Sequence, residues 1–292
     1  MKAQVESFFD QETSTATHLL WDEATGQAAI IDPVLGFDQK SGRTSTTQID
    51  SILSYVKQQQ LTLMYVLETH AHADHLTSAH YIREQSGAAI VIGAPITRVQ
   101  QTFGAIFNED DSFARDGRQF DRLVSDGDTL LLGELTLQVM ATPGHTPACV
   151  SYVVDGQPAF VGDTLFMPDV GTARCDFPGG DASTLYQSVQ RLLALGDQVT
   201  LYLCHDYPPQ DEQGQCREIQ TRVSVAQQRQ HNIHVRDGIS QDDFVAMRSQ
   251  RDAGLAVPRL ILPSLQVNIR AGALPQAESN GTAYLKLPLN VL

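Results

Sequence analysis

The chain is 292 residues long with a formal net charge of −14, so its summed field repels polyanions and excludes nucleic acid and anionic membrane as general partners. An apolar fraction of 42% against 18% charged residues belongs to a chain that buries a core and excludes a disordered one. No apolar run reaches about 18 residues, the start lacks a signal-peptide core, and Cys149, Cys175, Cys204 and Cys216 form no C-x-x-C pair; reduced thiols in a cytoplasmic protein are the expectation.

The runs "HLLWD" and "QAAIIDP" flank "EATG" and predict a hairpin. From Thr46 to Gln60, Ile49, Ile52, Leu53 and Val56 fall at helical spacing. "LMYVLETH" predicts a strand that runs into the histidine-rich "ETHAHADHLTSAH". "LTSAHYIREQSG" then predicts a helix stopped by Gly87, and "AAIVIG" a buried strand. Val99 to Leu123 reads as a polar excursion whose scattered aromatics lie at the surface or an interface, which together with the apolar tail suggests a homodimer contact. "TLLLGELTLQVMATPGH" predicts a hairpin turning at Gly133, and strands continue through "CVSYVVDGQPAFVGD". Asp181 to Leu195 reads as a capped amphipathic helix, "VTLYLCHD" as a strand, and two helical patterns lie between Cys216 and Arg251. No repeat of 20–50 residues is present. The expected organisation is one domain over residues 1–257, with an irregular tail over 258–292 docked on it.

The chemistry concentrates where strands end. If the chain stays extended after "LMYVLET", alternation puts His70, His72 and Asp74 on one side of the backbone and His75 elsewhere. A lone histidine is more often a surface or satisfied core residue; His80, on the predicted helix, is read as surface. Four histidines that include an H-x-H-x-D-H spacing directly after a β-run point instead to a metal. His145 in "ATPGHTPA", Asp163 in "AFVGDTLF" and His205 in "LYLCHDYP" follow further strands. Each alone has a bland reading, a helix cap for the aspartate or a hydrogen-bonded pair for His-Asp. Their succession favours the metal.

"THAHADH", "PGH", "GD" and "CHD" stand in an order that resembles the metallo-β-lactamase superfamily. The resemblance implies an α+β fold, an αββα sandwich of two mixed sheets flanked by helices, with the metal site at one sheet edge. "ETHAHADHLTSA", "TPGHTPACVSYV", "LCHDY" and above all "GTARCDFPGGD" resemble the persulfide dioxygenases, and the length of the chain resembles a longer bacterial subgroup. The activity so implied is oxidation of glutathione persulfide with dioxygen and water to glutathione and sulfite, in sulfide detoxification, at one Fe(II) per chain.

The ligands implied are His70, His145 and Asp163, with His72, Asp74, His75 and His205 hydrogen-bonding around them. The resemblance also assigns Arg174 to glutathione, although pairing with Asp176 is its structural alternative. Tyr207 is placed beside the iron, where it hydrogen-bonds substrate or simply packs, and Arg270 is a tail arginine expected at the substrate. Shorter members carry cysteine where this chain has Ala271. All seven positions of a two-metal site are present, so ligand count alone equally permits a zinc-dependent glutathione thioester hydrolase of the glyoxalase II kind. A metal kept only for stability fits poorly, because structural zinc sites are closed by four ligands without spares. Cys149 and Cys204 lie in apolar β-runs and read as small hydrophobes; beside Cys175, Arg174 is the only cation.

Overall fold

The computed structural model of the chain describes residues 2–155, 157–210 and 213–291. The first half runs β1 (Ala3–Asp10), β2 (Thr15–Asp22), β3 (Gln27–Ile31), β4 (Val34–Asp38), β5 (Arg43–Ser45), α1 (Thr47–Gln58), β6 (Thr62–Leu67), β7 (Leu76–Thr77), α2 (Ala79–Ser86), β8 (Ala89–Gly93), α3 (Ile96–Ile106) and β9 (Arg122–Val124). The second half runs β10 (Thr129–Leu132), β11 (Leu135–Ala141), β12 (Val150–Val154), β13 (Ala159–Phe160), α4 (Ala182–Leu193), β14 (Thr200–Tyr202), β15 (Arg222–Ser224), α5 (Val225–His231), α6 (Gln241–Asp252) and α7 (Ile261–Asn268).

Two six-stranded sheets form, ordered β1-β2-β3-β6-β8-β9 and β10-β11-β12-β13-β14-β15, with a small β5-β4-β7 sheet at the side. Both large sheets are mixed: β3-β6-β8-β9 and β13-β14 pair in parallel, the other neighbours antiparallel. Three cores separate four layers. Leu20, Ala29, Ile31, Leu67 and Val91 of the first sheet meet Leu137, Val139, Tyr152 and Phe160 of the second between the sheets. On the outer face of the first sheet, Leu19, Ala28, Ile30 and Val66 pack under α1, α2, α3 and α7. On the outer face of the second, Val153, Val161, Leu201 and Val223 pack under α4, α5 and α6. Strands buried on both faces carry apolar side chains at every position, which is why Ala28 to Ile31 of β3 form an unbroken apolar run. This is the αββα sandwich expected from the motifs.

Two sequence expectations are corrected. Residues 99–123 are not a surface excursion. α3 begins earlier, at Ile96, and buries Ile96, Val99, Gln100, Phe103 and Gly104 at i, i+3, i+4, i+7 and i+8. The apolar stripe is interrupted by Gln100, whose amide donates to Ile269 O at 2.9 Å and whose oxygen accepts from Gly117 N at 2.9 Å, and by Gly104 against Arg115. Phe103, Phe107, Phe113 and Phe120 all lie in the outer core of the first sheet, so these rings are buried within the chain and not at its surface. Residues 258–292 are not uniformly irregular: α7 forms there, with Leu265, Val267, Ile269 and Ala271 fully buried, whereas Leu274, Leu287 and Leu289 are exposed. The sequence offered no reading of residues 3–10, where β1 runs along the whole of β2, from Ala3 opposite Asp22 to Asp10 opposite Thr15; its half-buried edge position leaves no clean alternation in "AQVESFFD". Among the described residues no helix is long and apolar enough to cross a membrane.

Candidate metal centre

Every donor sits just beyond a strand end. β6 ends at Leu67 and releases residues 68–75 as a buried loop; β11 leads into the Pro-Gly turn before His145; β13 leads into a 3-10 turn, Gly162–Thr164; β14 leads to His205. Two glycines make these turns possible. Gly144 has φ 133° and a Cβ there would strike the backbone of Leu185; Gly162 has φ 51° and a Cβ would strike the Thr69 hydroxyl.

His70, His145 and Asp163 converge, with donor atoms within 4.8 Å of one another. His70 Nε2 is 3.9 Å and His145 Nε2 3.7 Å from Asp163 Oδ2. His72, Asp74, His75 and His205 form a second group at the same spacing. Asp163 reaches both: its Oδ1 lies 3.3 Å from His205 Nε2, which is also 3.0 Å from Asp74. The extended alternation is therefore overturned. The loop after β6 is not a strand, and the donor atoms of His72 and Asp74 group with those of His75 and His205, although the His72 ring also lies 4.0 Å from that of His70.

Hydrogen bonds behind the rings fix which nitrogen faces the site. His145 Nδ1 donates to Arg174 O at 2.7 Å, and His205 Nδ1 to Ser14 O at 3.0 Å. Thr69 Oγ1 donates to Asp32 at 2.8 Å and accepts from His70 Nδ1 at 3.0 Å. In each case Nδ1 carries the proton and Nε2 presents a lone pair to the site. His72 is turned the other way: its Nε2 donates to Asp32 at 3.0 Å and stands 3.5 Å from Glu68. Burial opposes a charge on His72, but Asp32 and Glu68 outweigh it and raise its pKa well above the ordinary value. Burial and the neighbouring imidazoles push His70 well below it.

The buried atoms His70 Nε2, His72 Nδ1, His75 Nδ1 and Nε2, Asp163 Oδ1 and His205 Nε2 have no hydrogen-bond partner. Buried polar atoms are otherwise nearly always satisfied. Several lone pairs left facing carboxylates inside one pocket fit a cation, so the donors suit a metal. They open onto a cavity of about 500 Å³ lined by Asp74, His145, Asp163, Phe166 and Tyr207. Tyr207 stacks on His205 with ring centroids 5.5 Å apart and meets Phe166 edge-on. A smaller apolar cavity of about 210 Å³, walled by Phe177, Val257 and Ile261, reaches His145 as well.

Arg174 lines both cavities, but its guanidinium holds Asp176 at 2.5 Å through two nitrogens and Ala256 O at 2.7 Å. The structural alternative for that residue is thus present in the fold. Arg270 does not join the site. It pairs with Glu109 at 2.6 Å, lies 4.5 Å above the Phe113 ring and lines a different cavity, because the segment after α3 folds its carboxylate onto the tail. His80 is half-buried against Arg83 and Glu84. Burial pushes the Cys149 and Cys175 thiols up to about 12 and Cys204 well above the ordinary range, in keeping with small hydrophobes.

Several partners carry no motif in the sequence. Asp32, in "IIDP", anchors Thr69 and His72. Glu68 faces His72 and Thr77. Asn268 of α7 donates to His72 O and His75 O at 2.8 Å each and accepts from Thr77 N at 2.9 Å. Only the strand-end position of Asp32, equivalent to that of Asp163, could have flagged it.

Comparison with known proteins gives a family match and full-length relatives. The model of the metallo-beta-lactamase superfamily matches residues 12–205. A probable metallo-hydrolase of Burkholderia pseudomallei is 52% identical over 99% of both chains, and glyoxylase B2 of Dictyostelium discoideum is 48% identical over 100% of this chain and 98% of its own. The mitochondrial persulfide dioxygenase ETHE1 of Bos taurus is 34% identical over 70% of this chain and 68% of its own. The crystal structure of ETHE1 from Myxococcus xanthus superposes with a TM-score of 0.72 at 34% identity, covering 92% of this chain and all of that one.

Proposed function

This chain belongs to the metallo-beta-lactamase superfamily, and we propose that it is a persulfide dioxygenase, oxidising glutathione persulfide with dioxygen and water to glutathione and sulfite at one Fe(II) held by His70, His145 and Asp163. The observation that carries this reading is the orientation of His72. With its Nε2 committed to Asp32 and Glu68, His72 groups with Asp74, His75 and His205, so the donors that converge with His70 are one further imidazole, His145, and one carboxylate, Asp163. That is the facial set of non-heme iron oxygenases. The relatives named persulfide dioxygenase and ETHE1 support the same reading.

A ferrous ion held by His70, His145 and Asp163 would supply the one-electron redox chemistry that the reaction of dioxygen with a persulfide sulfur needs. The chain does the rest. Arg174 O and Thr69 hold the two ligand rings through their Nδ1 atoms, and Tyr207 and Phe166 line the cavity beside the donors. In the overall reaction the outer sulfur is oxidised and dioxygen is reduced. The sulfur–sulfur bond breaks, water supplies the third oxygen of sulfite, and glutathione leaves as the thiol.

A second reading, a zinc-dependent glutathione thioester hydrolase, is favoured by one observation. Asp163 spans both donor groups, and His72, Asp74, His75 and His205 stand ready as a second set. The name of the Burkholderia pseudomallei relative, a probable metallo-hydrolase, agrees with hydrolysis. The test is an oxygen-electrode trace with glutathione persulfide on protein reconstituted anaerobically with ferrous iron, alongside metal analysis. Oxygen uptake with sulfite release at one iron per chain is expected. No uptake, with hydrolysis of S-lactoylglutathione by a form holding two zinc ions, sinks the proposal.

A further inference from the structure

In a chain of formal charge −14, the cavity above the donors gathers four guanidinium groups, Arg174, Arg248, Arg251 and Arg259. Three of them are matched within the chain. Arg174 holds Asp176, Arg248 is buried against Asp252 at 2.6 Å, and Arg259 makes an exposed 3.4 Å contact with Glu12. Arg251 differs: it lies exposed in the last turn of α6, and among the described residues its side chain has no carboxylate partner. The positive excess is felt nearby. Burial lowers His234 to about 4, and Arg248 and Arg251 push it the same way.

The same cavity is lined by Asp74, His145 and Asp163. Its volume of about 500 Å³ lies within the range that encloses small-molecule ligands. A ligand with its sulfur at the donors therefore shares its cavity with an unmatched cation. An anionic ligand approaching so acidic a protein needs such a cation, because the long-range field repels it. We infer that Arg251, with Arg259 lining the same cavity, is the anchor for a substrate carboxylate and the determinant that selects anionic thiol derivatives over neutral ones. Arg259 can exchange its loose contact with Glu12 for that carboxylate. Both arginines lie outside residues 12–205, so this selectivity belongs to the C-terminal part of the chain and not to the part matched by the family model. The inference rests on the reading of the substrate as a glutathione derivative.

Calorimetric titration of the metal-loaded protein with S-methylglutathione and with its diethyl ester tests it without turnover. The free acid is expected to bind about threefold to tenfold more tightly than the ester, the span between an exposed ion pair and a charge-assisted hydrogen bond. The preference should shrink in R251A, survive in part in R251K, vanish in R251A/R259A, and weaken as salt rises. Equal binding of acid and ester by the wild type, no binding of either, or an equal loss of both in R251A overturns the inference. The two proposals fail separately. Charge-selective binding without oxygen uptake removes only the dioxygenase reading, and oxygen uptake with equal binding removes only the anchor.

Discussion

Behind the histidines, Asp32 accepts from Thr69 N and Thr69 Oγ1 at 2.8 Å and from His72 Nε2 at 3.0 Å, from a left-handed backbone with φ 49°. It offers no donor to the His70 group, yet it orients two rings. Asp32→Ala is expected to lower iron affinity about 10- to 100-fold, the usual effect of removing a group that orients a ligand; chelator competition measures it. His70→Ala should abolish iron binding outright, and an H70A protein that keeps its iron while H72A loses it would reverse the ligand assignment. A second buried imidazole sets acid sensitivity. His18 Nε2 donates to Leu203 O at 2.9 Å, its Nδ1 accepts from Ser7 at 2.8 Å, and burial lowers its pKa from 6.5 to about 4. The unfolded chain protonates first as pH falls, so the stability from neutral His18 is complete above about 6.5 and is lost towards 4, by up to about 3 kcal/mol. Denaturant melts at pH 7 and pH 5 should show this slope, and His18→Gln should flatten it in part, because His234 is lowered in the same way. The donors themselves were legible in the sequence because their residue types and spacing are unusual. Asp32 and His18 were not, because an aspartate or histidine in a buried run is informative only through partners 37 and 185 residues away.

At the level of elements, the turns that carry His145 and Asp163 depend on backbone that L side chains rarely adopt. Gly162→Ala is expected to destabilise the fold by about 1–3 kcal/mol, from the positive φ and the collision with Thr69, and to weaken metal binding with it. Thermal unfolding with and without ferrous iron separates the two effects. The helices with unbroken apolar stripes, such as α1 and α4, were legible from their spacing, as was the cap at Asp181, whose side chain accepts from Thr184 N at 2.7 Å. α3 was not, because Gln100 occupies a core position and is satisfied there by the distant Ile269 carbonyl. α7 was hidden differently. It is apolar on nearly every side and holds a proline in its first turn, so it shows no amphipathic period.

On the scale of the whole molecule, the sandwich could be read from strands apolar at every position, whereas the contribution of the tail could not. α7 closes the outer core of the first sheet with Leu265, Ile269 and Ala271. Burying a large apolar side chain contributes about 1.5–3 kcal/mol, and a domain has only about 5–15 kcal/mol in all. A chain ending at residue 257 is therefore expected to be unfolded or aggregated, while one ending at residue 273 keeps a cooperative melt; circular dichroism distinguishes them. A folded, metal-binding 1–257 fragment would refute this. The bonds from Asn268 to His72 O and His75 O span 196 and 193 residues, and His205 leans on Ser14 across 191. On a ribosome making the protein from its amino end, the histidine loop emerges early and waits, half-supported, for nearly the entire remaining chain. Its final shape is reached only once residue 268 has cleared the exit tunnel, so the order of synthesis itself places tight metal capture after translation of the domain and not during it.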